Sequence, residues 1–106
     1  MVPDPFLLMS LPATTTGLPF VVWIAVDPGD GRGRRVYVSH VAQPALDDLI
    51  EVTVEPDVHV IGDRVLDQAN LDLLVHWIEV NRVVIARHWS GEIDSMTVIE
   101  GIKSVS

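Results

Sequence analysis

The chain of 106 residues has no cysteine. That removes disulfide staples, a thiolate nucleophile and any cysteine-based zinc site, and it fits a reducing compartment, so the expected location is the cytoplasm. Positive charge is scarce. Seven Lys plus Arg stand against 15 Asp plus Glu, giving a formal net charge of −8. A duplex-binding domain needs surplus basic side chains to displace counterions from phosphate, so no direct nucleic-acid binding is expected. A membrane-crossing run is missing too. Residues 5–26 are free of charge but carry Pro5, Pro12, Pro19 and Gly17. Each proline removes a helical hydrogen bond that lipid cannot replace. No basic segment precedes Phe6-Leu7-Leu8-Met9, which argues against a signal peptide. The arm 1–19 is therefore expected to be irregular, ahead of a single α+β domain over 20–106.

What is present suffices for one packed domain: 48% of residues are apolar and the mean hydropathy is +0.33. Phe20–Val26 is apolar on both alternating faces, as in a strand covered on each side. Asp27–Gly33 is dense in turn residues, and Arg35–Val41 alternates, so the two segments predict an antiparallel hairpin. Leu49–Glu55 sends Ile50, Val52 and Val54 one way and Glu51, Thr53 and Glu55 the other, the pattern of a strand with one solvated face. Val58–Ile61 and Arg64–Leu66 flank Gly62-Asp63, a two-residue hairpin loop. Asn70–Trp89 predicts one long helix, capped by Asp67 or Asn70 and ended at Gly91. A short final helix follows, with Asp94 as N-cap and Ile93 and Val98 at staple positions. The expected fold is α+β: an antiparallel sheet of four or five strands, the long helix packed on a face, and a short C-terminal helix.

Candidate sites are few. On the long helix Leu71, Leu73, Leu74, Trp77, Ile78, Val80, Val84, Ile85 and Trp89 form a broad apolar arc, and Asn81 and His88 fall within it. A buried amide or imidazole without partners costs about 1–3 kcal/mol. These two therefore either form a satisfied core pair or line a ligand pocket or interface with Trp77 and Trp89. The histidines (His40, His59, His76, His88) lack the i, i+4 spacing of a helical metal pair, so no metal site is expected. Ser39-His40 point to opposite faces of a strand, and no carboxylate pair stands in an apolar setting, so no catalytic residue is assigned. Arg32, Arg34 and Arg35 form the basic cluster beside the glycines of the 27–35 loop. No helix N-terminus or P-loop lysine follows, which leaves a solvated hairpin tip or a weak anion contact.

From His59 onward a short strand, Gly62-Asp63 and Val65-Leu66 precede a helix reading Trp77-Ile78-Glu79-Val80-Asn81-Arg82, then Trp89 and Gly91. This half resembles a family of small uncharacterised bacterial proteins often encoded beside toxin–antitoxin genes. The resemblance implies a short sheet followed by an amphipathic helix and a bacterial source. It brings no activity, since that family has none settled, and its histidine- and proline-rich strand motif is absent here, Tyr37-Val38-Ser39-His40 being at best a remnant.

The acidity is uneven. Between Asp47 and Asp72 eight acids meet only Arg64, a balance of −7, while the rest of the chain carries −1. Asp47, Asp48, Glu51, Glu55, Asp57 and Asp63 thus define a candidate acidic surface for a basic protein partner, with plain solvation as the rival explanation. The favoured reading is a non-catalytic interaction module, expected to be a homodimer and to need no cofactor. The alternative is a small-ligand binder or enzyme using Trp77, Asn81, His88 and Trp89. A purely structural domain whose charge maintains solubility is the third.

Overall fold

A computed structural model describes residues 8–27, 33–40, 48–54, 58–62 and 66–105. The element order is β1 (Leu8–Leu11), α1 (Ala13–Thr16), β2 (Val21–Ala25), β3 (Arg35–Ser39), β4 (Ile50–Thr53), β5 (His59–Ile61), α2 (Gln68–Val80), α3 (Arg82–Trp89) and α4 (Ser95–Gly101). The strands form one antiparallel meander in the order β1-β2-β3-β4-β5. This is the expected α+β class, with five strands.

Alternation fixes which side chains meet. The register aligns Leu11, Val22, Val38 and Ile50 in one row, and Met9, Ile24, Val36, Val52 and Val60 in another. Both rows lie on the face packed by Leu74, Trp77, Ile78, Ile85 and Val98 of the helices, in a single buried core. The helices α2 and α3 close that face, and α4 packs against α3, where Gly101 approaches Val84.

Three expectations need correction. The arm is not irregular over 8–16: Leu8–Leu11 adds an edge strand to β2, followed by the short helix α1. Met9 and Leu11 supply inward apolar side chains, and Pro12, which has no N–H for a ladder, ends the strand. The long helix starts at Gln68 and is interrupted at Asn81, whose backbone leaves helical geometry at φ −112° and ψ 16°. The face of Glu51 and Thr53 is not solvated: Thr53 is buried and Glu51 is half-buried, because that face carries its own packed cluster. The Asp63–Val65 part of the proposed second hairpin lies outside the described residues.

The helix ends follow the sequence closely. Asp67 caps α2, accepting from Asn70 N–H at 2.8 Å. Asp94 caps α4, accepting from the Thr97 N–H at 2.9 Å, and Ile93 and Val98 both join the main core. That N–H, then the Thr97 hydroxyl, holds the Asp94 carboxyl below its usual range. Gly91 N–H bonds His88 C=O and Glu92 N–H bonds Arg87 C=O, a Schellman closure that needs positive φ at Gly91 (77°). Space is open around Gly91, so Gly91→Ala tests backbone strain alone. It should cost about 1 kcal/mol in urea unfolding with the slope unchanged.

Candidate interaction surfaces

The four side chains suspected of forming a pocket are placed by α2 and α3. Trp77 lies one turn before the break and is fully buried, its indole N–H meeting no acceptor among the described residues. Asn81 is 2% exposed and spends its whole amide on backbone. Its Nδ2 donates to Trp77 C=O and to Lys103 C=O, each at 3.0 Å, and its Oδ1 accepts from Lys103 N–H at 2.7 Å. The Trp77 carbonyl also accepts the Asn81 backbone N–H. Side-chain competition for an i−4 carbonyl accounts for the interruption of the helix. Lys103 is thereby gripped on both polar groups of its backbone, and Val105 N–H bonds Thr16 C=O two residues on.

His88 is buried seven residues later, with Nδ1 3.2 Å from Ala25 C=O at the end of β2. A neutral ring with hydrogen on Nδ1 satisfies that carbonyl. Burial holds the imidazole below its ordinary pKa, the Ala25 carbonyl opposing the shift. The adjacent Trp89 leaves the main core for the second face of the sheet and meets Ala25, Tyr37 and Leu49. Its carbonyl accepts Asp27 N–H at 2.8 Å, so the end of α3 is sewn to the end of β2. Trp77 and His88 thus face the sheet, Asn81 ties the α2–α3 junction to the backbone at Lys103, and Trp89 belongs to another cluster.

That second cluster was not legible as a unit in the sequence. Across the outer face, Ser10, Trp23, Tyr37, Glu51 and Ile61 stand in one row, with Arg35, Thr53 and His59 in the next. Arg35 is only 5% exposed. Its Nε donates to the Tyr37 hydroxyl at 3.0 Å and lies 3.4 Å from Glu51 Oε1, and its guanidinium sits 5.2 Å over the Trp89 ring. Burial pushes the Tyr37 hydroxyl above its ordinary pKa, with Arg35 pulling it part of the way back. The neutral phenol accepts from Arg35 and donates to Glu51. Trp23 Nε1 closes the cluster by donating to Ser39 Oγ at 3.0 Å.

The charged surfaces are correspondingly divided. Of the basic residues, Arg35 is structural, Arg34 is half-buried and Arg32 lies outside the described residues. Of the acids, Glu51 turns to Arg35 and Asp48 is exposed, while Asp47, Glu55, Asp57 and Asp63 lie outside the described residues. His40 is exposed, edge-on to Phe20, and His59 and His76 are exposed on separate elements. Among the described residues no three His, Asp or Glu side chains converge as metal ligands, and no helix is long and apolar enough to cross a membrane. A different surface stands out on the helices: Leu73, Val80 and Val83 are exposed on α2 and α3, as are Met96 and Ile99 on α4.

Two outcomes test the Asn81 and His88 contacts. Asn81→Ala deletes three buried hydrogen bonds and strands backbone groups at Lys103, so it should lower stability by about 2–3 kcal/mol. It should also speed tryptic cleavage after Lys103, read by mass spectrometry under native conditions. For His88 the depressed native pKa means that the unfolded chain takes up a proton first as pH falls through about 6.5. Stability should therefore be full above that pH and decline below it. His88→Asn, which keeps a donor for Ala25 C=O without titrating, should show a shallower decline of melting temperature between about pH 6.5 and 5.

No protein-family model, curated protein or solved structure matches this chain.

Proposed function

We propose that the protein is a non-catalytic interaction module, working as a homodimer and offering the acids of residues 47–72 to a basic partner. The supporting observation is the engagement of the chemistry-bearing side chains. Asn81 and His88 are bound to backbone and Trp77 is sealed in the core. A ligand entering beside them would have to break hydrogen bonds worth about 1–3 kcal/mol each when left unmade. Glu51 is likewise tied to Arg35 and Tyr37; of the other acids in the proposed contact Asp48 is exposed, and Asp47, Glu55, Asp57 and Asp63 lie outside the described residues.

Exposed charge pairing is screened over about 8–10 Å at physiological salt. A partner captured from a bacterial lysate should therefore be basic and should elute as salt rises. Combined Asp47→Asn, Asp48→Asn and Asp57→Asn should weaken its capture about tenfold while leaving the melting temperature within about 2 °C. Capture that resists high salt, or that ignores the triple substitution, would refute the acidic contact. Stabilisation by a small molecule that Trp89→Ala abolishes would favour the pocket instead.

A further inference from the structure

The exposed side of α2 and α3 carries Gln68, Asp72, His76, Glu79 and Arg87, and among them stand three large apolar side chains that an amphipathic helix would place inward. Leu73, His76 and Val80 follow one another at i, i+3 and i+7 on one stripe of α2, and Val83 comes next on α3, past the interruption at Asn81. Leu73, Val80 and Val83 are 42%, 40% and 65% exposed, and His76 is exposed among them. The inward side is already filled by Leu74, Trp77, Ile78 and Ile85 against the sheet. This stripe is therefore a second apolar surface, one that the main core does not use.

Charge says what covers it. Asp72 stands near the N-terminal end of this side, on α2, and Arg87 near its C-terminal end, on α3, and both are exposed. Their midpoint falls at Val80. We infer that the stripe is the self-association face of this protein, packing on the same stripe of a second copy across a two-fold axis near Val80 with the helices antiparallel. This inference rests on the homodimer part of the functional reading and specifies its surface. An isologous contact must be self-complementary. Antiparallel packing places Asp72 of each copy opposite Arg87 of the other and Val80 opposite itself, and it brings Glu79 near its own copy, where the Arg82 ion pair at 3.0 Å offsets the like charge. Parallel packing would set acid on acid and base on base. Between Gln68 and Trp89 the formal charges cancel, with Asp72 and Glu79 against Arg82 and Arg87, so this part of an acidic chain meets its own copy without net repulsion.

Sedimentation and single-cysteine cross-linking test the geometry on the full chain, which has no native cysteine. The unmodified chain should sediment as a dimer. Val83→Lys, at an exposed position, should give a monomer with unchanged circular dichroism. Arg87→Asp should weaken the dimer about tenfold, and adding Asp72→Arg should restore it. Oxidised Val80→Cys should link to itself. Leu73→Cys should not, since antiparallel helices leave its two copies about 20 Å apart, beyond disulfide reach. A monomeric unmodified chain, a dimer indifferent to Val83→Lys, or self-linking at both cysteines would overturn the inference. Salt-sensitive partner capture by the Val83→Lys monomer would show that the acidic contact stands apart from this face. Loss of capture by the triple-Asn variant with the dimer intact would show the converse.

Discussion

The side-chain amide of Asn81 joins the end of α2, the start of α3 and the backbone of Lys103. It interrupts the helical run by bonding the Trp77 carbonyl, and with its remaining donor and acceptor it holds the backbone of Lys103. The last described residues are thereby brought under the α2–α3 junction, where Val105 reaches Thr16 after β1. An amide is suited to this because it donates and accepts at once; a carboxylate would repel two of the three partners and an aliphatic side chain would leave all three unmet. The placement of α4 follows, since it lies between the Schellman turn at Gly91 and the segment that Asn81 grips. One buried polar group thus positions the helical layer, and its register against the sheet is then fixed by His88 on Ala25.

The sheet presents a different problem, because a meander has two faces and the helices cover one. The inner face is solved by aliphatic rows of Val, Ile and Leu. The outer face is solved with aromatic and charged groups: Trp23, Tyr37 and Trp89 supply area, and Arg35 fills the space between them. A buried guanidinium is costly unless compensated, and here it has the Tyr37 hydroxyl, the Glu51 carboxylate, the Gly33 carbonyl and the face of an indole. Trp89 couples the two solutions. Because it comes from α3 yet packs on the outer face, the sheet end at Ala25–Asp27 is held by the helix from both sides.

Much of this architecture was legible because local rules and global packing agree. Val21–Ala25 read as a strand from a continuous apolar run and Ile50–Thr53 from alternation, and Asp67, Gly91 and Asp94 marked helix ends through side-chain and backbone geometry that acts over a few residues. The failures share a cause, which is contact across the chain. Leu8–Leu11 is a strand only because β2 offers it an edge, and nothing within its own residues distinguishes it from a packed coil. Arg35 opened an alternating strand but was also grouped with Arg32 and Arg34 in a basic cluster read as solvated, whereas its neighbours in space are Tyr37, Glu51 and Trp89. Glu51 and Thr53 alternate correctly, but alternation reports two faces without saying whether the second meets water. Asn81 and His88 were visible as anomalies, and only their partners at Lys103 and Ala25, 22 and 63 residues away in sequence, decide what they do.

Charge arrangement ties the fold to the proposed contacts. An acidic chain that pairs with itself must keep its net charge away from the face that pairs, because like charges brought together cost free energy that apolar burial then has to offset. The stretch from Gln68 to Trp89 is neutral, and most of the excess acid comes from the preceding segment that includes β4 and β5. Those strands lie at the far edge of the meander from β1. Repulsion between copies decays over about 8 Å at physiological salt, so charge beyond that reach of a contact opposes association little. The two proposed contacts thus draw on different parts of the sequence, a charge-balanced stretch on the helices and the acidic segment before it.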